Sequence, residues 1–164
     1  RSTQGVSSAA SDVYKRQTTG FVRSMVDLLE EDARKQGYVP DASVAGDEVL
    51  NGVRPKTFML YRNLDLMDVH PIQSVVKMDD TVSGIGEALE AGCWGIGIAR
   101  YSNYMDMDSL EEADTLADGE IARRLANSRE RLQKAGAHYV IDTWAEMPDV
   151  IEDINLRLGR GEQP

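Results

Sequence analysis

Apolar positions along this chain recur with two periods. Phe21, Val22, Met25, Val26, Leu28 and Leu29 fall near a 3.6-residue repeat, with Glu30, Glu31, Asp32, Arg34 and Lys35 on the wet side. A helix is therefore predicted from the Thr18-Thr19-Gly20 turn to Gly37, with Pro40 just beyond its end. A short strand is predicted over residues 43–46 and a loop over 47–52. Pro55 suits the first turn of a second helix, whose buried stripe reads Phe58, Met59, Tyr61, Leu64 and Met67. Residues 73–78 form a short apolar run, predicted as a strand, and residues 81–90 a helix that ends at Ala91-Gly92. The nearly continuous apolar run 93–99 reads as a parallel strand buried on both faces, its glycines marking close helix packing. Helical pattern returns over 110–116 and 120–134. A strand over 138–142 and a last helix after Thr143 complete the reading.

Strands that alternate with helices predict a parallel α/β sheet with right-handed crossovers. Gly95-Ile96-Gly97 is not followed by the rest of a dinucleotide fingerprint, which argues against a dinucleotide cofactor. Residues 1–17 carry almost no large apolar side chains and read as a disordered or non-native leader. The core domain is expected over 18–158 and a solvated tail over 159–164.

Composition narrows the function classes. The chain has 164 residues, 41% hydrophobic and 28% charged, with a formal net charge of -10. That balance argues against nucleic acid as a partner, because phosphate backbones select Lys and Arg. It leaves a small phosphorylated ligand open, since such a ligand needs only local donors. Cys93 is the only cysteine, so an intrachain disulfide is impossible, as fits a reducing cytoplasm. No apolar run approaches the roughly 18 residues needed to span a bilayer, so no membrane partner is expected.

Three clusters could carry chemistry. Asp79-Asp80 follows an apolar strand and precedes a helix start, a place that suits either a hard cation such as Mg2+ or an acidic helix cap. Thr18-Thr19-Gly20 offers hydroxyls and backbone N–H groups at a helix start, fit for an anion or for ordinary capping. Arg54 offers a guanidinium fork for a phosphoryl group, or a solvated surface charge. His70 and His138 read as structural, Cys93 as a small buried apolar residue, and Trp94 and Trp144 as core. Met105-Asp106-Met107-Asp108 reads as a loop.

In their order along the chain these clusters match the last three motifs of the haloacid-dehalogenase superfamily. The resemblance becomes more specific in Thr18-Thr19-Gly20-Phe21-Val22-Arg23-Ser24-Met25, in Gly52-Val53-Arg54-Pro55, and in Val69-His70-Pro71 before Val75-Val76-Lys77-Met78-Asp79-Asp80-Thr81. Together with Gly136-Ala137-His138-Tyr139-Val140-Ile141-Asp142, these resemble the phosphonoacetaldehyde hydrolases over about residues 18–164. The resemblance implies a three-layer Rossmann-like parallel sheet of the haloacid-dehalogenase type, truncated, with the first strand and helical cap missing. It also implies a small phosphonate substrate, Mg2+, a cytoplasmic setting and a homodimeric full-length protein.

By the same resemblance Thr19, Gly20 and Arg54 would bind the phosphoryl group. Asp80 would ligate Mg2+, with Asp79 beside it as a further ligand or a supporting acid. Gly84 stands where some members carry a further acid, which places metal duty on Asp79 and Asp80. Family members use a strand-borne Asp nucleophile and a cap Lys that forms a Schiff base, and neither can be matched here: no catalytic residue is assigned. The 164-residue chain by itself is expected to be inactive and marginally stable. Two alternatives stay open, another phosphatase of the superfamily acting on a phosphate monoester and a non-catalytic α/β module that binds phosphate or a partner protein.

Overall fold

The computed structural model describes residues 16–107, 109, 112 and 115–164. The helix expected over 110–116 falls largely outside the described residues, as does the leader up to residue 15. The leader's last two residues, Arg16 and Gln17, instead belong to a strand. The described residues divide into two compact units.

The first unit takes in the described residues up to Val53 together with Phe58–Asp68. It contains strand β1 (Arg16–Thr18), helix α1 (Arg23–Lys35), strand β2 (Ala42–Val44) and helix α2 (Phe58–Asp65). β1 and β2 pair in parallel, with Gln17 opposite Ser43. Helix α1 starts later than the threonines suggest. Thr18 ends β1, and Val22 is the N-cap without a side-chain cap bond. The Arg23 amide donates instead to Asp47 Oδ1 at 2.8 Å, so a distant carboxylate satisfies the helix start. Val26 and Glu30 are its buried residues. Phe21, Val22, Met25, Leu28 and Leu29 are exposed, against the expected inward stripe. In α2 the inward face is Met59, Leu60 and Asn63, rotated from the expected stripe, and Phe58 and Tyr61 are exposed. Asn63 is turned inward because its Nδ2 donates to the Gln17 carbonyl at 2.9 Å.

The second unit comprises Arg54–Thr57 and Val69–Pro164. It is the α/β layer structure that the alternating pattern predicts. Strands β3 (Val76–Asp79), β4 (Trp94–Ile98) and β5 (Tyr139–Ile141) form a parallel sheet in that order. Helix α3 (Val82–Ala91) follows β3, α4 (Asp118–Lys134) precedes β5, and α5 (Met147–Gly159) ends the chain. All five residues of β4 are buried. Alternation sorts them by size. Trp94, Ile96 and Ile98 pack with Ile141, and with Val150 and Ile154 of α5. Gly95, Gly97 and Ala99 face the other way. A Cβ on Gly97 would lie 2.9 Å from the Leu132 Cβ of α4, so the strand needs glycine for the helix to approach. Ile85, Ala99 and Leu132 form the core on that side. Helix α3 ends at Gly92, whose φ of +77° closes the C-cap. Trp144, expected in the core, is 63% exposed, because it sits in a short 3-10 turn before α5 and not on the helix's apolar face.

Candidate active site

The carboxyl end of β3 carries the densest cluster of charge. Asp79 is the last residue of the strand, and its side chain is buried. Its Oδ2 accepts from Arg54 Nη1 at 2.7 Å and from Lys77 Nζ at 3.0 Å. Its Oδ1 accepts from the Thr81 amide at 3.0 Å and the Thr81 hydroxyl at 2.7 Å. Burial by itself would raise the Asp79 carboxyl, but the Lys77 and Arg54 charges and the Thr81 bonds outweigh it and hold the group below the ordinary carboxylate range.

Lys77 lies two residues before Asp79 and so shares its face of the strand. It is itself buried, with its Nζ 3.2 Å from Glu87 Oε2. Glu87 is fully buried on α3 and also lies 3.8 Å from Arg54 Nε. Arg54, Asp79, Lys77 and Glu87 thus close a ring of alternating charge. Glu87 Oε2 lies within ion-pair distance of both cations, yet neither Glu87 oxygen makes a hydrogen bond of good geometry. That makes Glu87 the ring's least satisfied member.

Asp80 is the next residue and is placed differently. It is half-buried. Burial and then the neighbouring Asp79 charge push its carboxyl up, against the opposing pull of Arg54 and Lys77. Its backbone carbonyl accepts from Ser102 Oγ at 2.7 Å. Thr81 is the N-cap of α3, its hydroxyl accepting from the Gly84 amide at 3.0 Å.

The structure therefore brings three of the expected residues, Arg54, Asp79 and Asp80, to one strand end. Thr19 and Gly20 lie in the other unit, in the turn between β1 and α1. There the Thr19 hydroxyl accepts from the Phe21 amide at 3.2 Å, and a Cβ on Gly46 would lie 2.8 Å from the Gly20 carbonyl oxygen. Asp79, with four donors on its two oxygens, has the bonding of a supporting acid more than of an open ligand. Asp80 supplies the half-buried carboxylate that a divalent cation would neutralise. Mg2+ commonly takes one or two protein carboxylates and fills its other positions with water and phosphate oxygens, so these residues fit it. Among the described residues no cluster of three or more His, Cys, Asp or Glu side chains is placed to hold a metal.

Sequence reasoning passed over Lys77, Glu87, Ser102 and Tyr104. Glu87 did leave a signal: it interrupts the apolar face that Ile85, Ala88 and Ala91 form on α3. No signal marked Ser102 or Tyr104, which reach the site by tertiary packing.

The chain is 40% identical to the phosphonoacetaldehyde hydrolase of Klebsiella pneumoniae over 146 residues, 89% of this chain and 54% of that protein. It is 40% identical over 147 residues to the protein of that name from Syntrophobacter fumaroxidans, 90% of this chain and 52% of that one. This chain is a partial homologue of the phosphonoacetaldehyde hydrolases. It spans about half the length of the curated relatives it matches. The crystal structure of a phosphonoacetaldehyde hydrolase-like protein from Oleispira antarctica superposes with a TM-score of 0.89 at 35% identity, covering 95% of this chain and 56% of that one. A haloacid dehalogenase-like protein of unknown function from Agrobacterium tumefaciens shares the fold at a TM-score of 0.60 and 23% identity, covering 84% of this chain and 53% of that one. The fold is the parallel α/β core of the haloacid-dehalogenase type. No protein-family model matches the chain. Among the described residues no helix is long and apolar enough to cross a membrane.

Proposed function

We propose that this chain is the phosphate- and metal-binding part of a phosphonoacetaldehyde hydrolase core. The observation that carries the reading is the Arg54–Asp79 pair at the carboxyl end of β3, with Asp80 next in the chain. Ligands of open α/β sheets gather at such strand ends. In this reading Arg54 holds the phosphoryl oxygens through its guanidinium, fixed in place by Asp79. Thr19 and Gly20 enter this reading by family resemblance alone, as phosphoryl donors. Asp80 is the Mg2+ ligand, and Asp79 supports it while orienting Arg54 and Thr81. Bound Mg2+ would offset the phosphoryl charge.

The reaction is cleavage of the carbon–phosphorus bond of phosphonoacetaldehyde to acetaldehyde and phosphate. By family resemblance a Lys Schiff base makes the carbon side a better leaving group, and an Asp takes the phosphoryl group before hydrolysis frees it. No residue of the 164 is matched to either role. We infer that this chain by itself does not turn over substrate, and that the complete protein works in the cytoplasm as a homodimer. A second reading, a non-catalytic phosphate-binding module, is favoured by the unmatched nucleophile.

The test is binding of inorganic phosphate to the 164-residue chain with Mg2+, measured calorimetrically beside an assay for acetaldehyde release. Phosphate binding that Arg54→Ala and Asp80→Asn each weaken tenfold or more, with no acetaldehyde formed, supports the reading. Phosphate binding indifferent to both substitutions overturns the site. Acetaldehyde release by the chain itself overturns its inactivity.

A further inference from the structure

Two side chains of one short turn grip the backbone on both sides of the acidic loop. The turn follows β4 and comprises Ser102 and the 3-10 segment Asn103–Met105. Ser102 is 4% exposed, and its Oγ donates to the Asp80 carbonyl at 2.7 Å. Tyr104 reaches the first helical residue of α3, its hydroxyl oxygen accepting from the Val82 amide at 3.1 Å. That amide is one of the donors a helix start leaves without an intrahelical partner.

The peptide between Asp80 and Thr81 is thereby held at both ends. Ser102 fixes its carbonyl, and Asp79 Oδ1 fixes its N–H at 3.0 Å. With Asp79 held in β3 on one side and the Asp80–Thr81 peptide pinned on the other, the backbone rotation that would swing the Asp80 carboxylate is restricted from both directions. The turn is anchored in its own right. The Arg131 guanidinium lies 5.0 Å above the Tyr104 ring, and Arg124 Nη1 donates to the Met105 carbonyl at 3.2 Å. Both arginines stand on α4, so the longest described helix backs the brace.

We propose that Ser102 and Tyr104 are positioning residues that aim Asp80 at its cation. Neither side chain is a ligand. Their effect is to remove the freedom that the Asp80 peptide would otherwise lose when a cation binds. The inference rests on Asp80 as the metal ligand, and the experiment separates the two claims.

Mg2+ is titrated into the 164-residue chain and followed by NMR on the amides of Thr81 and Val82, with hydrogen exchange measured at Val82. Ser102→Ala is expected to weaken Mg2+ about tenfold while the amide signals of Ile96 and Ile98 stay in place. Tyr104→Phe is expected to speed Val82 exchange about tenfold and to weaken Mg2+ in the same direction. A merely structural role would lower the melting temperature and leave the affinity of the folded protein unchanged. Unchanged affinity in both variants, with the parent chain binding Mg2+, overturns the brace. Parent chain that binds no Mg2+ overturns the ligand role of Asp80, and the aim inferred for it falls too. In that case Val82 exchange in Tyr104→Phe still reports whether the hydroxyl grips the loop.

Discussion

Gly84 occupies the one position of α3 where a side chain would collide with Asp79: a Cβ built there lies 1.8 Å from the Asp79 Cγ. The room left by the missing side chain is filled by the Asp79 carboxylate. A side chain at this position cannot share the present arrangement with Asp79, so the glycine and the inward-turned Asp79 go together. Gly84→Ala is expected to expel the Asp79 carboxylate from its contacts with Arg54, Lys77 and Thr81. Overpacking and broken bonds together should cost about 2–4 kcal/mol. Denaturant unfolding measures the loss, and a stability within about 0.5 kcal/mol of the parent chain would show that the site tolerates a Cβ.

The charge ring makes a separate prediction. Removing the charge of Glu87 leaves Arg54 and Lys77 facing a single acid in a buried place. Breaking one member of a buried ion pair typically costs about 3–5 kcal/mol, because the partner is left uncompensated. Glu87→Gln should fall at the low end, since Glu87 already lacks well-formed hydrogen bonds. Lys77→Met is expected to destabilise in its own right. The double variant, which removes a cation and an anion together, should lose less than the sum. A double-mutant cycle reads the coupling, and strict additivity would mean that the 3.2 Å approach of Lys77 to Glu87 carries no energy.

How far the fold was legible depended on which contacts decide it. β3, β4 and β5 and the helices around them follow from periodicity, because each has a face or a run that only one packing can bury. β4 shows this most clearly, since its large and small residues sort to opposite sides. The first unit was less readable. The apolar positions of α1 have a helical period, yet Val26 is the apolar one that turns inward, and Asp47, 24 residues from Arg23, supplies the N-terminal bond. At the site, Arg54, Asp79 and Asp80 stand out as residue types in order. Ser102 and Tyr104 do not, because a serine and a tyrosine after a strand acquire meaning only when the turn folds back over the loop.

Cys93 should be inert while the chain is folded. It is fully buried, and burial pushes its thiol up to about 11, against the weaker pull of Lys77. The thiolate is the reactive form, so alkylation at pH 8 is expected to proceed only through unfolding. Labelling with iodoacetamide should be fast in denaturant and, in native buffer, track the population of the open form. Rapid stoichiometric labelling of native protein would refute the burial that this expectation rests on.

His138 sets the sign of a pH dependence. Its Nδ1 accepts from the Gly95 amide at 2.9 Å, inside the core strand β4, and the ring meets Trp94 edge-on at 5.4 Å. An imidazole that accepts at Nδ1 must be neutral, with its proton on Nε2. Burial, and then the nearby Arg157 charge, lower its pKa below the ordinary value of about 6.5. The unfolded chain therefore binds more protons than the folded one between the lowered value and about 6.5. Stability from this residue is fully present above about 6.5 and is lost as pH falls through that window. NMR titration of the His138 ring should give a midpoint below the ordinary histidine value of about 6.5. Thermal unfolding followed from pH 7.5 to 5 should show a decline that His138→Gln flattens. A His138 midpoint at or above about 6.5 would mean that the Gly95 bond does not hold the ring neutral.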